Sequence, residues 1–137
     1  WNSYDDGQAW IIKPNSVSEV GCIHTCQGLE LDYAGVIIGG DLVIRDGRVI
    51  TDGLQRASTD KSLAGFKTML KTDAEKAEQK ADEIIKNTYR TLMTRGMKGC
   101  YIYCTDSETQ EYFKQALQKP VDRNIFSSDD IGASFTE

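Results

Sequence analysis

An apolar run at residues 34–39, reading A-G-V-I-I-G, directly follows a segment rich in small and polar residues. The run is short, continuous and β-branched, which predicts a buried strand. The segment before it, residues 21–32, reads G-C-I-H-T-C-Q-G-L-E-L-D and lies between two apolar stretches. Packing alone does not explain such a segment. Gly28 would let the backbone approach a ligand closely, and Gln27 and Glu30 could hydrogen-bond that ligand.

A long amphipathic helix is predicted at residues 72–95. Its apolar side chains recur at three- and four-residue steps and form one stripe: Ala77, Ala81, Ile84, Ile85, Thr88 and Leu92. The opposite face is charged and would be solvated. Thr72 and Glu75 fit a capping box at the start of this helix. Gly96 is expected to end it as a left-handed cap.

A β-hairpin is predicted at residues 42–51, where Asp46 and Gly47 separate two β-branched runs. An Asp-Gly pair in this position is typical of a type I′ turn. The hairpin belongs to an insertion at residues 41–71. The second part of the insertion, residues 53–71, is polar and basic, and we expect it to be solvated.

The other predicted elements are strands at 9–13, 19–23, 36–38 and 100–104, a helical turn at 25–31 and a helix at 107–119. Strands that alternate with helices predict an α/β sandwich with a mainly parallel sheet. Residues 1–120 would form this domain, and residues 121–137 would form a loosely held tail.

Composition narrows the class of protein. A chain of 137 residues suits one domain and can bury about two-thirds of its surface. A net charge of −5 argues against a free-standing nucleic-acid binder, which is usually basic. No apolar run approaches the ~20 residues needed to cross a membrane, and no signal peptide is present. We therefore expect a cytoplasmic protein without membrane contact, and a chain that begins at Trp1 as an excised domain.

The four cysteines fall in two pairs, Cys22 with Cys26 and Cys100 with Cys104. This spacing formally allows a four-cysteine zinc site. The sequence favours buried thiols and no metal, because Cys100 and Cys104 flank a probable central strand in which Cys acts as a small hydrophobe. Nothing indicates secretion, so disulfides are not expected.

Two segments resemble motifs of superfamily 1 helicases. Residues 24–38, H-T-C-Q-G-L-E-L-D-Y-A-G-V-I-I, resemble motif V, and residues 87–98, N-T-Y-R-T-L-M-T-R-G-M-K, resemble motif VI. The strand C-Y-I-Y-C that follows is also similar. The resemblance covers residues 10–106. It is to the Schlafen group-3-type DNA/RNA helicase domain, known in bacteria as domain-of-unknown-function family 2075.

The resemblance implies the second RecA-like domain of a helicase, a sandwich of the P-loop NTPase type. It makes Arg95 the arginine finger that stabilises charge developing on the γ-phosphate. A planar, permanently charged guanidinium suits that role better than a lysine. The alternative is structural, because the helix macrodipole favours a cation in any last helical turn.

The same resemblance assigns nucleotide contacts to Gln27, Gly28 and Glu30. Glu30 would accept a hydrogen bond from the ribose, and Gly28 would give close backbone access. His24 and Thr25 would couple the nucleotide to bound nucleic acid. A histidine satisfied at the end of a strand is an equally good explanation of His24.

The chain has no Gly-Lys pair and therefore no G-x-x-x-x-G-K-[ST] phosphate loop. In the resembling family this loop and the magnesium ligands lie in an N-terminal RecA-like domain. We thus expect ATP and Mg²⁺ to bind jointly with that domain, and the chain to be inactive alone. The nucleic acid would be DNA or RNA. Two alternatives remain open: a non-catalytic RecA-like module that binds nucleic acid or protein, and a zinc-binding module.

Overall fold

In the computed structural model of this chain, the described residues are Pro14, 20–26, 28–56 and 60–118. They form a mixed α/β structure with two small sheets, one parallel and one antiparallel. The strand predicted at 9–13 and the tail predicted at 121–137 lie outside these residues. The strand predicted at 19–23 is wrong where it is described, because residues 20–22 have no regular structure and residues 23–26 form a turn.

The described residues form, in chain order, the strands and α-helices β1 (Leu31–Ile38), β2 (Leu42–Arg45), β3 (Arg48–Thr51), α1 (Phe66–Thr72), α2 (Ala74–Met93), β4 (Gly96–Cys104) and α3 (Ser107–Gln118). Strands β1 and β4 pair in parallel, with Ile38 opposite Cys104. The chain passes from β1 to β4 through the hairpin and the two helices α1 and α2. A parallel strand pair with an intervening helix confirms the α/β class.

Strand β1 is buried on one face only. Ala34, Val36 and Ile38 are buried, whereas Tyr33 and Ile37, which alternate with them, are exposed. The expectation of a strand buried throughout is therefore wrong for the described residues. Side chains of a strand alternate between its two faces, and α2 covers only the face that carries the first three residues.

The hairpin β2–β3 forms as predicted. Arg45 pairs with Arg48 across its tip. Asp46 has φ 51 and Gly47 has φ 72, so both central residues adopt the positive φ that a type I′ turn requires. Short-range turn chemistry was sufficient to predict this element.

Helix α2 begins and ends differently from the prediction. Thr72 is the last residue of α1, and the cap of α2 is Asp73, whose side chain accepts a hydrogen bond from Lys76 N at 3.2 Å. At the other end Thr94 is the cap. Gly96 is not in the left-handed region and instead opens β4.

The predicted apolar stripe of α2 does face the core, with one shift. Its buried residues are Ala77, Ala81, Ile85 and Tyr89. Ile85 is completely buried, whereas Ile84 is only half-buried. Ala81, Ile85 and Tyr89 pack with the strand residues Val36, Ile38 and Leu42, so helix and strands share one core.

The second part of the insertion is not a solvated loop. It contains short 3₁₀ turns at Gly53–Gln55 and Lys61–Leu63 and the helix α1. Phe66 and Leu63 pack against the core. The side chain of Arg56 is only 10% exposed. Polar composition hid these contacts from sequence reasoning.

Candidate functional site

The two segments that carry the predicted site residues meet at the amino ends of β1 and β4. Leu31 N donates a hydrogen bond to the carbonyl of Arg95 at 3.1 Å, and Leu31 pairs with Gly96. Glu30 and Arg95 therefore lie on neighbouring backbones. Ligands of open parallel sheets usually bind at the carboxyl ends of the strands. The predicted site instead lies at the amino ends of the two strands. We call this end of the sheet the amino edge (Gly28, Glu30, Leu31, Arg95 and Gly96).

Arg95 lies in the short turn between α2 and β4, one residue beyond the helix cap. Its N–H donates to Leu92 O at 3.2 Å, which closes the turn. Its side chain is half-buried. Among the described residues, no carboxylate forms an ion pair with Arg95. The backbone of Arg95 is thus fixed by the turn, whereas its guanidinium has no carboxylate partner among the described residues.

Gly96 shapes the backbone beside Arg95. Leu31 pairs with Gly96, and Tyr33 pairs with Gly99. Between these two pairs β4 contains one residue more than β1, which is a β-bulge in β4. A Cβ at Gly96 would lie 2.0 Å from Gly99 O and 2.9 Å from Ala34 N. Only glycine fits this approach of two backbones.

The loop that precedes β1 (residues 20–26 and 28–30, hereafter the leading loop) is organised by Thr25. Its Oγ accepts a hydrogen bond from Cys22 N and donates to Cys22 O, both at 3.0 Å. The amides of Thr25 and Cys26 also donate to Cys22 O. The predicted helical turn at 25–31 is wrong for the described residues, because these form hydrogen-bonded turns at 23–26 and at 28, and β1 begins at Leu31. The hydroxyl of Thr25 builds the turn.

Two further predicted residues of the leading loop, Gly28 and Glu30, are exposed. Gly28 has φ +77, and a Cβ there would meet nothing within 4 Å. Glycine is favoured at this position by its backbone conformation, and the space around it is open. Glu30 is also exposed. Gln27 lies outside the described residues, so its predicted contact stays a prediction.

Charge links Arg95 to the leading loop. Burial raises the pKa of the Cys26 thiol, and the neighbouring Cys22 raises it further. A hydrogen bond from Thr25 and the positive charge of Arg95 act in the opposite direction without reversing the shift. Cys26 is therefore a neutral thiol at pH 7. It lies close enough to Arg95 for the positive charge of Arg95 to influence the pKa of the thiol.

The four cysteines are not gathered into a metal site. The expectation of buried thiols is wrong for Cys22, which is exposed in the leading loop, whereas Cys104 is buried at the end of β4. Across residues 20–26, 28–56 and 60–118, no group of three or more His, Cys, Asp or Glu side chains could hold a metal ion. Burial raises the pKa of Cys100 and Cys104. The zinc-binding alternative finds no support in this geometry.

Sequence reasoning missed a buried ionic cluster in the insertion. Arg56 Nε lies 3.3 Å from Asp41 Oδ2, and Arg56 Nη1 lies 3.2 Å from Asp60 Oδ2. Arg56 Nη2 donates to Thr88 Oγ1 at 3.0 Å. The Nε–H is not aligned for a hydrogen bond within the described part of the chain, so its interaction with Asp41 is electrostatic. Asp60 in turn lies 3.2 Å from His24 Nε2.

Tyr89 closes this cluster on α2. Its hydroxyl donates to Asp41 Oδ1 at 2.6 Å and accepts from Gly39 N at 3.1 Å. Burial, and next the hydrogen bond to Asp41, raise the pKa of Tyr89 far above its usual value. Helical spacing could have found Tyr89, because it lies one turn after Ile85 on the same stripe. No sequence signal marked Asp41 or Arg56.

A second polar cluster ties the hairpin to α3. Arg45 donates to both carboxylate oxygens of Asp106 at 2.8 Å. Thr109 donates its hydroxyl to Asp106 at 2.6 Å and accepts from Ile44 N at 2.9 Å. These hydrogen bonds, first that from Arg45, hold the pKa of Asp106 well below its usual range. Arg45 is therefore engaged in internal contacts.

Comparison with known proteins identifies the chain. Residues 1–106 match the family described as Schlafen group 3, DNA/RNA helicase domain. The chain is also 32% identical over 122 residues to the uncharacterized protein YPL245W of Saccharomyces cerevisiae, a match that covers 87% of this chain and 26% of that protein. No solved structure matches. Within the described residues, no helix has the length and apolar character to cross a membrane. The chain belongs to the Schlafen group 3 DNA/RNA helicase domain family.

Proposed function

We propose that the chain is the second RecA-like half of an ATP-dependent superfamily 1 DNA/RNA helicase or translocase. Membership of a helicase-domain family supports this assignment, as does the parallel strand pair covered by a helix. The chain spans 26% of its yeast relative, which leaves room in such a protein for a first RecA-like domain. That domain would hold the phosphate loop and the magnesium ligands.

One observation carries the proposal: the hydrogen bond from Leu31 N to Arg95 O joins the two helicase-like segments at one edge. The backbones of Leu31 and Arg95, more than sixty positions apart in sequence, are thereby neighbours. Glu30 and Gly28 are exposed beside it. Arg95 has no ion-pair partner in the described part of the chain, so an anionic phosphate can take that place.

Each residue then has a defined role. Arg95 would stabilise the charge that develops on the γ-phosphate, as an arginine finger does. Glu30 would accept a hydrogen bond from the ribose, and Gly28 would admit the nucleotide to the backbone. Gln27 would contact the nucleotide from the same loop. His24, with the turn built by Thr25, would couple nucleotide to nucleic acid.

The described residues offer groups that could contact ATP but no ligands for Mg²⁺. Arg95 and the open space at Gly28 suit the phosphates and the ribose. The described residues offer no cluster that could hold a cation, and the sequence has no phosphate loop. Bound Mg²⁺ would neutralise phosphate charge, and its ligands would belong to the first domain. The isolated chain is accordingly expected not to hydrolyse ATP.

The test is ATP hydrolysis by the full-length natural protein that carries this chain, with and without DNA or RNA. Arg95→Ala should lower kcat by on the order of 10³–10⁵-fold, because the transition-state charge loses its cation. Arg95→Lys should restore little, since a lysine lacks the planar fork. Arg48→Ala, at the exposed hairpin tip, is the matched control and should be close to wild type.

Two results would contradict the proposal. One is turnover by Arg95→Ala at the wild-type rate, and the other is metal-dependent turnover by the isolated chain. If the full-length protein binds nucleic acid but never hydrolyses ATP, the non-catalytic RecA-like module is the correct description.

A further inference from the structure

The polar contacts that run from His24 to Tyr89 join the leading loop to α2. His24 contacts Asp60, Asp60 contacts Arg56, and Arg56 contacts both Asp41 and Thr88. We infer that Arg56 and Asp60 are positioning residues, which hold His24 and the leading loop in a fixed place against α2. The inference rests on the function proposed above, in which this loop meets the nucleotide and the nucleic acid.

Arg56 is suited to the centre of this arrangement. Its three guanidinium nitrogens face three different partners: Asp41, Asp60 and Thr88. The first two belong to the insertion and the third to α2, so a single side chain joins separate parts of the fold. A lysine presents one compact charge and could not reach all three at once. The position therefore requires arginine.

Asp60 links that centre to the leading loop. One carboxylate oxygen faces Arg56, and the other lies 3.2 Å from His24 Nε2. Burial acts to raise the pKa of Asp60, but the hydrogen bond from Ser62 N and the charge of Arg56 outweigh it and lower the pKa. An ionised carboxylate can only accept hydrogen bonds, so Nε2 must carry the proton.

The consequence of this contact is mainly geometric. The side chain of His24 is 51% exposed, whereas that of Asp60 is 10% exposed. An ion pair or hydrogen bond on such an exposed group contributes little to stability. What it does provide is a defined orientation of the ring and a defined position for the turn that Thr25 builds.

The chain contains a matched control for Asp60. Asp52 and Asp60 each cap a 3₁₀ turn, and each accepts a backbone N–H at 2.8 Å, from Leu54 and Ser62 respectively. Only Asp60 also contacts His24 and Arg56. Asp52→Ala and Asp60→Ala thus remove the same type of cap, and any additional effect of Asp60→Ala reports the contacts with His24 and Arg56.

The experiment compares Asp60→Ala, Asp52→Ala, His24→Ala and the double variant His24→Ala/Asp60→Ala in the full-length natural protein. We expect Asp60→Ala to lower the nucleic-acid-stimulated kcat about tenfold, a size usual for coupled residues, with KM for ATP unchanged. Asp52→Ala should match wild type. The double variant should be no slower than His24→Ala, because Asp60 acts through His24.

A second measurement follows the leading loop itself. Amide hydrogen exchange at Thr25 and Cys26, whose N–H groups bond to Cys22 O, should be faster in Asp60→Ala than in Asp52→Ala. Equal exchange in the two variants would overturn the inference. So would losses of kcat in His24→Ala and Asp60→Ala that multiply in the double variant.

The two proposals fail in different ways. If wild-type protein has no ATP turnover, the proposed function fails, and hydrogen exchange alone decides whether Asp60 holds the loop. If Arg95→Ala abolishes turnover while His24 and Asp60 act independently, only the positioning role is wrong.

Discussion

The two ends of the parallel strand pair use their polar groups in opposite ways. At the carboxyl ends, Asp41 binds Tyr89 and Asp106 binds Arg45 and Thr109, so the carboxylates there are internally satisfied. At the amino edge, Glu30 is exposed, and within the described residues Arg95 forms no ion pair. Asp32 in β1 does pair with Lys98 in β4 near this edge, but both side chains are largely exposed. The carboxylates at the ends where ligands of parallel sheets usually bind are thus engaged internally, whereas Glu30 and Arg95 form no ion pair in the described part of the chain.

The hairpin accounts for part of this difference. It begins four residues after β1, and Arg45 at the end of β2 binds Asp106, which follows β4. Thr105 N donates to Ile38 O at 3.0 Å, which joins the ends of β1 and β4 directly. The insertion thus engages the carboxylate that follows β4 while β1 and β4 remain paired in parallel.

The largest expected effect on stability is at the amino edge. Gly96→Ala should lower the free energy of unfolding by about 3 kcal/mol, because its Cβ would overlap backbone atoms that cannot move aside. Urea unfolding measures the loss.

Gly99→Ala is the matched control for this prediction. A Cβ there would meet only the ring of Tyr33, at 3.2 Å, and a side chain can shift. Equal losses for the two variants would mean that the bulge does not require glycine at position 96.

A smaller effect is expected at the carboxyl ends from Tyr89→Phe. The change removes one hydroxyl and leaves a buried oxygen of Asp41 and the amide of Gly39 without their partner. It should cost about 1–3 kcal/mol, the range for an unsatisfied buried polar group. Tyr112→Phe, on the exposed part of α3, is the control and should be nearly neutral in the same urea titration.

The third prediction concerns pH. The pKa of Asp106 is lowered in the folded state, so its contribution is present above its unfolded pKa of about 3.9 and is lost as pH falls below that value. Asp106→Asn should therefore be less stable at pH 7, and its stability should fall less steeply on acidification. Unfolding midpoints in urea at neutral and acidic pH would check both statements.

Glu108→Gln sharpens that test. Glu108 also lies near Arg45, at 3.4 Å, but is itself exposed. Removal of its charge should have a smaller effect than Asp106→Asn at pH 7. A larger effect would mean that net charge around Arg45, and not the hydrogen bonds of Asp106, holds the hairpin to α3.

Local patterns predicted much of the secondary structure. The Asp46-Gly47 turn, the apolar stripe of α2 and helix α3 depend on neighbours within a few residues, and all three formed. The helix caps were misassigned by one or two residues. Thr72 and Asp73 are both good caps, and only the end of α1 decides between them.

The sequence predicted only part of the candidate site. Resemblance to helicase motifs selected Arg95, Gly28 and Glu30, and their position on one edge follows from the pairing of β1 with β4. The sequence could not place that edge at the amino ends of the strands. It also gave no indication that the hydroxyl of Thr25 hydrogen-bonds to the backbone of Cys22.

What the sequence determined by itself, then, is whatever short-range chemistry decides: turn type, helical periodicity and the residue types of the two helicase-like segments. Tertiary structure alone decided the ionic cluster of Asp41, Arg56 and Asp60, and with it the contact to His24. The physical reason is burial. A charged residue in a polar stretch is usually solvated, and it becomes a buried partner only when distant segments exclude water around it.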